Sequence, residues 1–256
     1  MQILHMIQVK ARPEAVDDCY HVRVAAMSRH QLAKRLPLFP LSDVVHFPHT
    51  ELRLHVFEPR YRQLVRDLAR LEEPARWIGM VLLKPEARGD DPGQPAIFTA
   101  GTAGRVLSIE PLPDGRSNLL LRGEFRFEVE FEFGQRAYRQ AQVRAIDDGE
   151  VDEDDARIVT LRREILHNAQ RVAHEMGGRF PLPGEELHEL AGDVAFEELT
   201  NRLAAGLDLP PLRKLQLLGE AVGDRAASVL GILRARRRVL DLLRPFRHLA
   251  EANERN

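Results

Sequence analysis

Apolar residues recur with two different periods along this chain, and the change from one to the other falls near residue 150. Upstream, alternation dominates. Strand side chains point to opposite faces in turn. Phe125 to Phe133 therefore predicts a strand with Phe125, Phe127, Val129, Phe131 and Phe133 on a buried face and Arg126, Glu128, Glu130 and Glu132 toward solvent. Leu52, Leu54 and Val56 alternate likewise with Arg53 and His55. Trp77 to Leu83 is a continuous apolar run of strand length, as burial on both faces requires. Leu36-Pro37-Leu38-Phe39-Pro40-Leu41 is apolar but twice interrupted by proline, which predicts an edge strand. Asp114-Gly115, between apolar runs, predicts a hairpin, because both residues tolerate the required turn geometry. One helix interrupts the strands: Pro59 suits a first helical position, and Tyr61, Leu64, Val65 and Leu68 come after it at helical spacing. It should cover one opening or edge of the sheet.

Downstream the period becomes 3.6. Ile158, Leu161, Ile165, Ala169, Val172 and Met176 form one stripe, ended by Gly177-Gly178. A second helix is expected from about Glu185 to Leu207. A short third comes after Pro210-Pro211, and a last long one runs from about Asp224 to Arg244. Short connections between amphipathic helices predict an antiparallel bundle. The expected class is α+β, in three zones: residues 1–30, weakly patterned, with 1–26 read as an extension; 31–148, β-rich; and 149–256, helical. The acidic run Asp152 to Asp155 marks the boundary, with Asp154 and Asp155 placed to favour a helix start.

Composition narrows the function classes. The 256 residues are 44% hydrophobic and 30% charged with a net charge of -2, a balance that builds a large core without staples and attracts neither nucleic acid nor anionic membrane as a whole. The single cysteine, Cys19, rules out an intramolecular disulfide framework. No run approaches the ~18 apolar residues of a membrane span, and Met1 to Lys10 lacks the order of a secretory signal, so a cytoplasmic protein is expected.

The motif search finds little chemistry. A P-loop ends in Gly-Lys-Ser or Gly-Lys-Thr, and no Gly-Lys pair exists in the chain. Gly101-Thr102-Ala103-Gly104 leads into a strand and reads as a structural bend. Ser117 lies two residues after Gly115 but lacks the frame of a nucleophile elbow. His46, His49 and His55 could converge on a metal. No carboxylate or cysteine completes a ligand spacing, and the simpler reading is that they are surface histidines of a loop and a strand. Arg234, Arg236, Arg237 and Arg238 cannot share one helical face, since each residue turns by about 100°. They read as a solvated face rather than a phosphate track. No cofactor, metal or catalytic residue is implied.

The order of several motifs is more specific. Leu-Pro-Leu-Phe-Pro-Leu-Ser-Asp-Val-Val-His-Phe-Pro from Leu36, then Leu-His-Val-Phe-Glu-Pro-Arg-Tyr-Arg-Gln-Leu-Val from Leu54, resembles the amino-terminal substrate-binding domain of the Lon protease family, especially its stand-alone bacterial members. The similarity continues at Ile78-Gly79-Met80-Val81, Gly101 to Val106, Leu112 to Gly123 and Leu209 to Leu218, covering about residues 34–248. The resemblance implies an antiparallel PUA-like β pseudo-barrel with one covering helix, followed by an antiparallel helical bundle. It also implies non-catalytic binding of unfolded or exposed polypeptide, with an adaptor or quality-control role beside a separate protease. Phe57, Arg60 and Tyr61 are candidate peptide contacts, although Glu58-Pro59-Arg60-Tyr61 also reads as a helix start. His49 and Arg53 depart from the family pattern, where glycine and proline are common. RNA binding, by fold analogy with PUA-like domains, is the alternative, and a small-molecule enzyme a third.

Overall fold

The computed structural model describes residues 35–85, 95–134, 137–147, 149, 151–177 and 180–246. The expected extension over 1–26 lies outside them. The described chain forms β1 (Leu36–Leu41), β2 (Glu51–Val56), α1 (Pro59–Ala69), β3 (Trp77–Leu83), β4 (Ile97–Pro111), β5 (Ser117–Phe133) and β6 (Gln140–Ile146). Five further helices complete it: α2 (Ala156–Met176), α3 (Gly184–Leu190), α4 (Phe196–Gly206), α5 (Pro211–Gly219) and α6 (Val222–Leu243). The class is mixed α+β, with one six-stranded sheet and six α-helices among the described residues.

The chain divides into two compact units. One holds the sheet, α1 and the segment Pro210–Leu218; the other holds α2, α3, α4 and α6. The short helix after the proline pair therefore packs with the sheet unit, whereas its position in sequence grouped it with the other helices. A buried arginine explains the placement. Arg126 is 3% exposed, although alternation predicted a solvated side chain, and its Nη1 donates to the Leu218 carbonyl at 2.7 Å. A buried guanidinium needs acceptors, and the last carbonyls of a helix lack intrahelical donors.

In the sheet unit the strands run in the order β2-β5-β4-β3-β1-β6, and β6 also pairs with β5. Passing from β5 through β4, β3, β1 and β6 thus returns to β5, so five strands close a ring and β2 joins it through β5 alone. The pairs are antiparallel except β1–β3, which is parallel, a correction to the wholly antiparallel sheet expected. The connection between those two strands contains β2 and α1, long enough for the crossover that parallel pairing needs.

β1 is also not an edge strand, as its prolines had predicted. It lies between β3 and β6, but Leu36 and Pro37 pair with β6 while Leu38 to Leu41 pair with β3. Paired largely on one side at a time, the strand can turn a missing N–H toward its open side. The hairpin at Asp114-Gly115 forms as predicted, with Gly115 at φ 79°.

Two apolar clusters fill this unit. Leu52, Leu54, Val56, Ile78, Leu119 and Leu121 meet the inward stripe of α1, which is Tyr61, Leu64, Val65 and Leu68. Leu36, Leu38, Val81, Phe125, Phe127 and Val143 form the second cluster. The alternation of β5 fails beyond Val129. Val129 pairs with Val143 and Phe131 with Gln142, leaving Glu130 as an extra residue. Such a bulge re-aims the side chains beyond it. Phe131 ends 60% exposed, edge-on to Phe133 at 5.2 Å.

The helical unit obeys its pattern with one correction. α2 buries Ile165, Ala169 and Val172, starts with Asp155 accepting from the Arg157 amide at 2.7 Å, and stops at Gly177 with φ 58°. The single helix expected over 185–207 is instead two, α3 and α4, separated at Ala191 to Ala195. Gly192 and Asp193, both poor helix formers, occupy the break. Glu153 accepts from the Phe196 amide at 2.6 Å, so an acidic residue read as solvated caps the start of α4.

Candidate functional site

β2 is the strand with a single partner among the described residues. Its register shows what the other edge offers. The Gly123 amide donates to the Thr50 carbonyl at 2.9 Å and the Gly123 carbonyl accepts from the His49 amide at 2.8 Å, so the backbone of Gly123 faces β2. Antiparallel ladders alternate hydrogen-bonded pairs with non-bonded ones. Leu52, Leu54 and Val56, opposite Leu121, Leu119 and Ser117, then exchange bonds with β5. The amides and carbonyls of Arg53 and His55 turn to the outer edge. An unpaired edge of this kind is a template for another extended chain.

Side chains decorate the edge by the same alternation. Leu52, Leu54 and Val56 are buried, while Arg53 and Phe57 are exposed and His55 is half-buried. Phe57 carries the chain from β2 into α1 and is 42% exposed, its ring 6.4 Å from that of His55. His55 Nδ1 meets Asn118 Oδ1 at 2.8 Å. Asn118 in turn donates to Glu110 at 2.9 Å, so this strip is bordered by polar groups on β5 and β4.

The three residues singled out from sequence occupy different environments. Phe57 is accessible. Arg60 is half-buried, and its Nε and Nη2 donate to Glu58 at 3.0 and 2.8 Å; its guanidinium lies 5.1 Å from the centre of the Tyr61 ring. Tyr61 is buried and stacks on Phe39 with centroids 4.1 Å apart; burial pushes its hydroxyl up to about 12. Phe57 and Arg60 can thus touch a ligand at the surface, and Tyr61 anchors the helix that positions them.

The loop between β1 and β2 is fixed by backbone contacts. Thr102 Oγ1 donates to the His46 carbonyl at 2.6 Å, Thr50 Oγ1 to the Phe47 carbonyl at 2.7 Å, and the His49 amide to the Gly123 carbonyl at 2.8 Å. Gly123 lies so close to the Phe47 carbonyl that any side chain would collide with it. His46 is not a surface residue, as the sequence had predicted. It is 4% exposed, its Nε2 faces the Thr50 carbonyl at 3.0 Å, and burial lowers its imidazole to about 4. A ring nitrogen facing a carbonyl must carry the proton, so the other nitrogen, Nδ1, is a buried acceptor without a partner in the described structure. Nothing in the sequence around His46 separates it from its neighbours; its burial comes from residues distant along the chain. Among the described residues no three His, Cys, Asp or Glu side chains gather as metal ligands, and no helix is long and apolar enough to cross a membrane.

The arginines of α6 are largely engaged within the helical unit. Arg234 pairs with Glu164 at 2.8 Å, Arg236 donates to the Asp208 carbonyl at 2.6 Å, and Arg237 to Asn168 Oδ1 at 3.0 Å. They do not make a continuous track.

Comparison with known proteins agrees with this architecture. The model of the ATP-dependent protease La (LON) substrate-binding domain matches residues 35–235. The Lon protease of Anaeromyxobacter dehalogenans is 28% identical over 217 residues, which are 84% of this chain and 25% of that protein. The Lon protease of Azorhizobium caulinodans is 29% identical over 224 residues, 84% of this chain and 24% of that protein. The chain thus spans about a quarter of the length of these relatives. Among solved structures, the N-terminal domain of a Mycobacterium avium complex Lon protease superposes with a TM-score of 0.57 at 17% identity, covering 78% of this chain and 98% of that one. A Lon N-terminal domain protein from Xanthomonas campestris gives 0.50 at 27% identity, covering 77% and 98%. With the family model spanning both the strands and most of the helices, the chain belongs to the Lon substrate-binding domain family.

Proposed function

We propose that this chain is a non-catalytic polypeptide-recognition module that receives an extended, unfolded segment along the free edge of β2. The observation that carries the reading is the register of that strand, which leaves the Arg53 and His55 amides without a strand partner among the described residues, beside the exposed ring of Phe57. Backbone pairing would supply affinity independent of sequence, and Phe57 would favour apolar residues in the bound segment. Arg60 borders the same surface, and Tyr61 acts through the helix start it anchors. In this reading the closed strand ring is a PUA-like pseudo-barrel with α1 as its cover, and α2, α3, α4 and α6 form an antiparallel bundle. A module of this kind could present substrates to a separate protease as an adaptor in the cytoplasm.

The test is fluorescence anisotropy against a labelled, permanently unfolded polypeptide across a salt series. Saturable, salt-tolerant binding is expected. Arg53→Pro removes an outward N–H that β5 does not use, so it should weaken binding at least about tenfold while changing stability by less than about 1 kcal/mol. Phe57→Ala should weaken binding severalfold. Undiminished binding by both variants would sink the edge reading. Binding to a structured RNA alone, collapsing as salt rises, would replace polypeptide recognition with a nucleic-acid role.

A further inference from the structure

The helical unit carries a cleft of its own. Between α2 and α6 a cleft of about 420 Å³ is lined by Arg163, Glu164, His167, Asn168, Arg234 and Arg237. Helix geometry gathers these residues. On α2, Arg163 and His167 are four apart, as are Glu164 and Asn168, and on α6 Arg234 and Arg237 are three apart, so each pair lies together on its helix. The buried residues Ile165, Ala169 and Val172 of α2, with Ala226, Val229 and Leu233 of α6, hold the two helices rigid behind them.

The charge in the cleft is unbalanced. Three guanidinium groups face one carboxylate, a formal excess of two positive charges before His167 is counted. Two of the arginines are already oriented. Arg234 Nη2 donates to Glu164 at 2.8 Å, and Arg237 Nη1 donates to Asn168 Oδ1 at 3.0 Å. Asn168 is itself fixed, its Nδ2 donating to the Glu164 carbonyl at 2.7 Å. Each guanidinium uses one nitrogen in these bonds, and a planar fork with five donors keeps the others available. Arg163 and His167 have no hydrogen-bond or ion-pair partner among the described residues, and they stand four residues apart, so both side chains open onto the cleft.

Oriented forks around an uncompensated double positive charge suit a doubly charged oxyanion. The cleft has the volume of a small-ligand site, roughly 300–1,000 Å³, but no aromatic or aliphatic side chain lines it. Recognition would therefore read the anion and nothing attached to it. We propose that the cleft binds the phosphoryl group of a small phosphate ester or pyrophosphate.

Pyrophosphate, inorganic phosphate and glycerol phosphate would each be titrated into the full chain by calorimetry at constant ionic strength set with chloride. A saturable single site for pyrophosphate is expected. A matching site for glycerol phosphate would show that one phosphoryl group suffices and include esters in the ligand class, and its absence would assign the site to pyrophosphate. Arg163→Gln and His167→Gln should each weaken pyrophosphate at least tenfold and leave the ligand-free melting temperature unchanged, because neither side chain has a hydrogen-bond or ion-pair partner among the described residues. Arg66→Gln, on α1, should bind like the parent. No saturable heat with any of the three ligands, or a pyrophosphate affinity untouched by both cleft substitutions, would overturn the assignment.

Discussion

The two units of this protein solve the problem of close packing with different materials. In the sheet unit the tight points are backbone against backbone. Gly101 lies against the Met80 carbonyl and Gly123 against the Phe47 carbonyl, each with no room for a Cβ. In the helical unit the tight points are arginine side chains. Arg202 reaches Glu186, Glu189 and Glu198, and Arg225, fully buried, donates to Asn201 Oδ1 at 2.5 Å and to the Glu220 carbonyl at 2.7 Å. The sheet unit should therefore punish added volume, and the helical unit the loss of a donor. Backbone has nowhere to relax once a ring of strands is closed, whereas helices can shift slightly but cannot rehydrate a stranded acceptor.

Substitutions can break or sharpen that contrast. The largest effect is expected at Gly123→Ala, whose methyl would collide with the Phe47 carbonyl; it should cost at least about 3 kcal/mol in urea denaturation, at the severe end for overpacking. Tolerance there would mean that the loop can move and that the sheet unit is not steric in character. Next, Arg225→Met keeps much of the volume and removes the donors, stranding Asn201 and the Glu220 carbonyl. It should cost about 1–3 kcal/mol, the penalty for leaving a buried neutral acceptor without its donor; a neutral result would show that packing alone holds the helices.

A third test uses pH and the sheet unit's own reporter, since Trp77 on β3 is the sole tryptophan. Burial depresses the His46 imidazole to about 4 in the fold, against about 6.5 in an unfolded chain. Protonation therefore favours unfolding. Its contribution to stability is complete above about pH 6.5, is lost as pH falls toward 4, and levels off below, for a total on the order of 3 kcal/mol. Tryptophan fluorescence in urea at pH 7 and pH 4.5 should show most of this loss, and an NMR titration of His46 should not reach its midpoint above pH 5. An imidazole midpoint near 6.5 would remove His46 from the account. The smallest effect is expected at His49, whose φ of 62° lies in the left-handed region. His49→Gly relieves about 1–2 kcal/mol of strain and gives back about 0.5–1 in chain entropy, so a gain of about 0–1.5 kcal/mol in thermal denaturation is expected. A loss instead would mean that the His49 side chain contributes more than its backbone costs.

Much of this was legible in the residue pattern, for identifiable reasons. α1 could be placed because Pro59 marks its start and Tyr61, Leu64, Val65 and Leu68 mark its inner face, all within one short segment. The Asp114-Gly115 hairpin was equally local. The errors share a different character. Pro37 and Pro40 predicted an edge, but β1 is central because its two halves pair with different strands. Alternation turns Phe131 inward, but one extra residue, Glu130, interrupts it. Alternation turns Arg126 outward, but its acceptor, Leu218, lies far along the chain. At the candidate site, Phe57, Arg60 and Tyr61 were visible as neighbours in sequence, but their division into two accessible residues and one buried anchor was not. The outward turn of the Arg53 and His55 amides is not visible there either, because it depends on register with β5.

The amino-acid sequence by itself determined most of the elements, their order and the membership of a family, because propensity, turn chemistry and hydrophobic period are written in adjacent residues. The tertiary structure decided which strand has a single partner among the described residues, which histidine was sealed from water, and which arginines met across two helices. Those outcomes rest on contacts between residues tens of positions apart, whose energies exist only after the chain has closed on itself.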